Sequence, residues 1–353
     1  MIRKVQEYTP IVVLLVLAQV TLGQTTGDTL WLTTFVTFFT AILLEAIPFM
    51  LIGSLVSGII EVFVPREVIS KWALKNRMLA IPVFGLLGIP FPICECGIVP
   101  VIRRLLEKGI PLSCGITYML AAPIVQPIVF ASTLVAFNGS WKVAGLRIAG
   151  GYITAVFVGM LSAIFLDPRS KEHMVFRIKR VEAGLASCAC SEDTDGPNRD
   201  QHSHYQHSSE CEVGNHIGIV HRVCGAIRHA ADDFLSTGSY LIFGAFIAAG
   251  MQTFISQDAL VKLGHGPILG TLVMMTIAFV ISLCAAADAF VAAAFVQFPI
   301  AARMAFMVMG PMVDIKLLAM YSGFLSRKAT IFVFGLAAAF AFAYAMFLRH
   351  IGV

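Results

Sequence analysis

Charge is what this chain has least of. Only 13% of its 353 residues are Asp, Glu, Lys or Arg, against 58% hydrophobic, too few to clothe the watery surface of a soluble protein of this length. Mean hydropathy of +0.84 agrees. The net charge of +4 lies in loops and turns and no nucleic-acid motif is present, so a nucleic-acid partner is not expected. A Gly-x-x-x-x-Gly-Lys phosphate loop is missing too, which argues against ATP coupling within this chain. The amino terminus, Met1-Ile2-Arg3-Lys4 and then the apolar run from Ile11 to Leu22, resembles a secretory signal but lacks a small-x-small cleavage site. It reads as a retained anchor.

What is abundant is apolar sequence in runs long enough to span a bilayer. The expected fold is therefore an all-α polytopic membrane protein whose partner is the lipid bilayer. Residues 1–29 would be the anchor helix and a short loop, and 30–166 a first membrane repeat. Residues 167–229 would form a polar connector, too hydrophilic for a core, and 230–353 a second repeat. The first long run, Leu30 to about Val64, is interrupted by Glu45, Pro48 and Gly53; it is either one kinked helix or a helix and a shorter piece.

The halves match each other. Placing Cys96 on Cys284 also puts Pro111 on Pro299, Met119 on Met307, Pro123 on Pro311 and Gln126 on Asp314, and a slightly larger shift puts Gly53 on Gly244. Basic residues crowd 65–78 and 101–111 but not the corresponding stretches of the second half. By the positive-inside rule the repeats then have inverted topology, with the amino terminus and the connector cytoplasmic. Inverted repeats with interrupted helices are a transporter architecture.

The interruptions hold the chemistry. Pro90-Phe91-Pro92-Ile93-Cys94-Glu95-Cys96-Gly97 sets two thiols and a carboxylate among helix breakers inside an oily run, which predicts a broken or re-entrant segment with freed backbone facing a cavity. On a regular helix Cys94 and Cys96 would point about 200° apart, whereas an extended segment puts them on one side. Thiolates suit Cu(I), Zn(II) or trivalent arsenic; the plain alternative is small buried cysteines. A lone carboxylate in lipid costs about 2.5–3.5 kcal/mol on insertion scales, so Glu95 needs a cavity or a partner.

Cys284 and Asp288 would share a helical face in an alanine-rich segment, either as part of a substrate path or with Asp288 in a structural hydrogen bond. Asp314 and Lys316 are either functional or a simple interfacial ion pair. Glu45, Glu95 and Asp288 are the proton-coupling candidates. Pro123, Gln126, Pro311 and Asp314 complete the expected substrate-binding set with Cys94, Glu95, Cys96, Cys284 and Asp288. Arg147 is expected to snorkel or to pair with an acid, Cys114 to pack, and the methionines from Met304 to Met320 to fill core. In the connector, Cys188, Cys190, His202, His204, His207 and Cys211 make a soft metal-ligand cluster without zinc-finger spacing, read as a metal-capturing loop or as a plain solvated linker.

The run Cys94-Glu95-Cys96-Gly97-Ile98-Val99-Pro100 with Met119-Leu120-Ala121-Ala122-Pro123-Ile124, then Cys284, Ala287-Asp288-Ala289-Phe290 and Gly310-Pro311-Met312-Val313-Asp314-Ile315-Lys316, resembles the ArsP-type predicted permease family. The resemblance covers both halves but not the connector. It implies a bacterial inner-membrane permease, some members of the family exporting trivalent organoarsenicals and others being linked to copper or zinc. The expectation is a secondary transporter, exporting a thiophilic metal or metalloid by alternating access. No cofactor is required, a metal ion would be cargo, and a homo-oligomer is compatible with the sequence. The competing classes are a membrane-embedded thiol- or metal-dependent enzyme and a metal receptor or chaperone anchored by its spans.

Overall fold

Within hydrocarbon every backbone amide must be satisfied inside its own segment, so uncharged apolar runs fold as helices. A computed structural model describes residues 30–65, 77–90, 93–166, 219–254 and 266–352, and among these the regular structure is twelve helices with no β-strand. The chain is a multi-pass membrane protein: among the described residues four helices are long and apolar enough to cross a bilayer, and the pair Leu112–Val125 and Pro127–Ala136, bent by 41° at their junction, is either a broken span or a re-entrant loop.

The first half runs α1 (Leu30–Phe63), α2 (Arg77–Leu86), α3 (Glu95–Glu107), α4 (Leu112–Val125), α5 (Pro127–Ala136) and α6 (Trp141–Phe165). The second runs α7 (Ile219–Phe254), α8 (Pro267–Ile281), α9 (Ala285–Ala294), α10 (Ile300–Met309), α11 (Ile315–Tyr321) and α12 (Arg327–His350). Each half thus has a long helix, four short ones and a closing span. Pro48 does not divide α1, which is continuous for 34 residues. The helix α7 starts within the stretch 167–229 assigned to the connector, because Ala226 and Ala230 are buried against α1. The connector ligands Cys188, Cys190, His202, His204, His207 and Cys211 lie outside the described residues, as do the anchor and Pro92.

The same local devices start corresponding helices. Pro111 and Pro299 precede α4 and α10, and Gln126 and Asp314 precede α5 and α11. Ser140 and Ser326 cap α6 and α12, each hydroxyl accepting from the backbone N–H three residues on. Cys94, with ψ of 170°, and Cys284, with ψ of 156°, are the extended residues that open α3 and α9.

The largest interface joins α1 to α7, which run antiparallel. Trp31 stacks near Phe254 at 6.4 Å and Phe35 meets Phe246 edge-to-face at 5.2 Å, while at the far end Gly58 lies against Ala226. The closing spans α6 and α12 are antiparallel as well: Phe157 stacks on Phe340 at 5.5 Å, Phe165 meets Phe332 at 5.8 Å, and Tyr344 Oη donates to the Leu146 carbonyl at 2.7 Å. One apolar core crosses between the halves, holding Cys96, Ile98 and Met119 together with Met309, Met312 and Tyr321. Met304 and Met307 are buried in a neighbouring cluster, and Cys114 packs with Ile81 and Phe84. These methionines and Cys114 are core, as their types suggest.

Candidate functional site

Four chain breaks supply the site. The first is the extended Ile93-Cys94 before α3, which places Glu95 and Cys96 in the first turn of that helix. The second is the end of α8, where Ser282 is left-handed (φ 51°, ψ 44°) and Cys284 opens α9. The third is Gly310 to Asp314 between α10 and α11, and the fourth is Gln126 between α4 and α5. Backbone groups freed at such breaks need donors from elsewhere. At the α8 end the Ile281 carbonyl accepts from Gln252 Nε2 at 2.6 Å and the Ser282 carbonyl from Lys316 Nζ at 2.9 Å. Close by, the Ala285 carbonyl accepts from the Arg147 guanidinium at 2.6 Å.

Lys316 is the hub. Its Nζ lies 3.0 Å from Glu95 Oε1 and 3.5 Å from Asp314 Oδ2, and all three side chains are buried. Asp314 also caps α11, its Oδ1 accepting from Leu317 N at 2.6 Å. The pairing answers the question raised by Glu95: its partner is a lysine brought from the other half, on α11. Asp314 and Lys316 are accordingly more than a local ion pair, because they hold the start of α3 to the start of α11.

The thiols divide into two groups. Cys96 is buried and Cys94 is partly exposed, and the two thiols are near enough to influence each other. Cys284, partly exposed, instead lies within electrostatic reach of Glu45 on α1. Among the described residues no three His, Cys, Asp or Glu side chains converge as a metal site; Cys94 and Cys96 form one soft pair, and Cys284 with Glu45 a mixed one.

Asp288 and Arg147 are the other two buried charged residues of the centre. Arg147, fully buried on α6, donates to Thr133 Oγ1 on α5 at 2.9 Å and to Ala285 on α9, and it lies within electrostatic reach of Asp288. The carboxylate of Asp288 rests against Gly310, where an added Cβ would come within 2.6 Å of Oδ2. Neither expectation for Arg147 describes it: fully buried, it does not snorkel, and its hydrogen-bond partners are a hydroxyl and a backbone carbonyl rather than an acid. Gln126 is buried and turns back on the Pro123 carbonyl at 3.0 Å. Pro123 is buried inside α4, three residues before the break at Gln126, and Pro311 is buried in the break between α10 and α11.

An open wet chamber was the expectation at this depth. The breaks are instead closed over by core side chains, with Glu95, Asp288, Asp314, Lys316 and Arg147 all buried. The arrangement is occluded.

The sequence reading missed a second polar cluster further along α3. Arg104 makes a bidentate pair with Asp233 of α7, at 2.8 and 2.9 Å, and Ser57 of α1 donates to the same carboxylate at 2.7 Å. Arg103 bridges Glu107 and Ser236. Lys108 donates to the carbonyls of Ile60, Glu61 and Val64 at 2.7–2.8 Å, capping the end of α1. A small cavity of about 20 Å³, lined by Val99, Arg103, Ser236, Tyr240 and Met320 among others, lies beside this cluster.

A family model described as a predicted permease, of the ArsP type, matches residues 31–350. The chain belongs to the ArsP-type predicted permease family. Among relatives of this permease, a Bacillus subtilis (strain 168) protein named UPF0718 protein YcgR is 41% identical over 291 residues, covering 82% of this chain and 88% of that one. A Streptococcus mutans serotype c protein, named as a candidate two-component membrane permease complex subunit, is 36% identical over 292 residues, covering 82% and 86%. No solved structure matches the chain. Membership of a permease family points to transport rather than catalysis.

Proposed function

We propose that this permease is a secondary transporter of a bacterial plasma membrane that exports a thiophilic metal or metalloid species, a trivalent organoarsenical or a copper or zinc ion, by alternating access. The observation that carries the reading is the neighbouring Cys94–Cys96 thiol pair at a helix break, next to the buried Glu95–Lys316–Asp314 cluster. Soft cargo would exchange onto the thiols, with Cys284 as a third sulfur when the halves rearrange. Glu95, Asp288 and Asp314 would balance the charge that enters with it.

The antiparallel pairs α1 with α7 and α6 with α12, together with the repeated order of elements, support two inverted repeats meeting at this site. The buried centre then corresponds to the occluded state of the cycle. The amino terminus and the connector face the cytoplasm, where the Cys and His residues of the connector collect cargo. The name of the streptococcal relative supports a second membrane subunit as the working partner.

The test is growth of a metal- and arsenical-sensitive bacterial strain expressing the wild type or Cys96→Ser, with cell-associated cargo quantified. Wild type should lower the accumulation of at least one soft cargo and Cys96→Ser should not. Equal accumulation for every cargo tested would sink the thiol site.

A further inference from the structure

The ammonium of Lys316 sits where an ion would. The three oxygens around it, Glu95 Oε1 at 3.0 Å, Asp314 Oδ2 at 3.5 Å and the Ser282 carbonyl at 2.9 Å, come from three separate chain breaks. Two carboxylates and a freed carbonyl are the donors that hard cations prefer, unlike the sulfur of the thiol pair. Unwound carbonyls and half-helix ends are also where transporters hold a coupling sodium ion.

The lysine leaves oxygen unused. Glu95 Oε2 and Tyr321 Oη have no hydrogen-bond partner, although both residues are only 1% exposed, and Tyr321 is within electrostatic reach of Glu95, Asp314 and Cys96. The ammonium bonds Glu95 Oε1 and the Ser282 carbonyl, while Asp314 Oδ2 at 3.5 Å is without a hydrogen bond; a bare cation of higher coordination number draws such remaining oxygens in. Charge points the same way. Glu95, Asp288 and Asp314 outnumber Lys316 and Arg147 in the buried centre, so with every group ionised one negative charge is left over.

We propose that these oxygens form a sodium-class monovalent-cation site, that the Lys316 ammonium is its tethered occupant in the occluded state, and that an alkali cation takes its place when the Lys316 side chain turns out of the cluster. The exchange conserves charge, since one positive charge leaves the oxygens as another arrives. The inference rests on the permease reading and names the class of its coupling ion.

The experiment uses the purified full-length protein in lipid nanodiscs. Thermal unfolding is followed while NaCl or LiCl replaces choline chloride at constant ionic strength, at one pH and again one pH unit lower. Lys316→Met should be stabilised saturably by sodium or lithium, with half-saturation at least about tenfold below that of wild type, because the competing ammonium is gone. Adding Glu95→Gln should abolish the response. Lys316→Gln serves if the methionine variant does not fold, and wild type itself should show the response at higher sodium. Absence of a saturable alkali response in wild type and the Lys316 variants, a response that survives Glu95→Gln, or stabilisation by the pH change alone would each overturn the site. Binding is read without cargo, so loss of the cargo phenotype with an intact alkali response would remove the thiol reading and leave the ion site standing.

Discussion

Arg147 shows how a single residue ties this fold together. A fully buried guanidinium that donates to α5 and to α9, next to a buried Asp288 carboxylate, is costly to lose alone. Truncating it leaves the Ala285 carbonyl without its donor, at about 1–3 kcal/mol, and removes the positive charge within reach of Asp288. Arg147→Met should therefore lower the thermal unfolding midpoint strongly, and Asp288→Asn by less, because its neutral amide still fits against Gly310. The double variant should recover much of the loss. Strictly additive effects in that double-mutant cycle would mean that the two charges do not act on each other. Which residues carry charge at depth was readable from the sequence, because Glu95, Asp288, Asp314 and Arg147 stand alone in apolar runs. Who meets whom was not. The Glu95–Lys316 and Arg147–Ala285 contacts join opposite halves, and periodicity reports only the face of a residue's own helix.

At the scale of the helix, the basic turn after α3 has a structural task that its composition concealed. Read from sequence, Lys108 counts as a topology signal; in the fold it caps three carbonyls at the end of α1. Lys108→Met should leave those carbonyls without donors and fray the last turn of α1. Hydrogen–deuterium exchange should then rise for peptides covering residues 58–65 while the exchange of α12 stays unchanged. Protection equal to wild type would show that water or a neighbour replaces the lysine. The breaks themselves were legible, because proline and glycine within apolar runs leave few other conformations. Less legible was which residue opens each helix: it is the extended Cys94 before α3 and the extended Cys284 before α9.

For the whole molecule, the reading that matters is the relation between halves. If they are inverted repeats, the turn at 138–140 and the turn at 325–328 occupy equivalent positions on opposite sides of the membrane. A single cysteine at Asn138 should be labelled on intact cells by a membrane-impermeant maleimide, and one at Lys328 only after the cells are opened. Labelling of both from the same side would end the inverted arrangement. The all-helical membrane fold, the repeated order of elements and the broken segments could all be anticipated from hydropathy and breakers. Closure could not, because a cavity is filled or open according to how distant side chains pack.

One contact sets how such a molecule can move. Gly53 of α1 and Gly97 of α3 touch backbone to backbone, so that a methyl at Gly53 would fall on the Gly97 carbonyl, and no side chain stands between the two helices for α3 to climb over. With a rise of about 1.5 Å per residue, Arg104 lies about 10 Å along α3 on one side of this pivot and Glu95 about 3 Å on the other. The helix is a seesaw with unequal arms, and a swing of several ångströms at the arginine latch is geared down to roughly an ångström at the cysteines, enough to part an ammonium from a carboxylate without tearing the core apart.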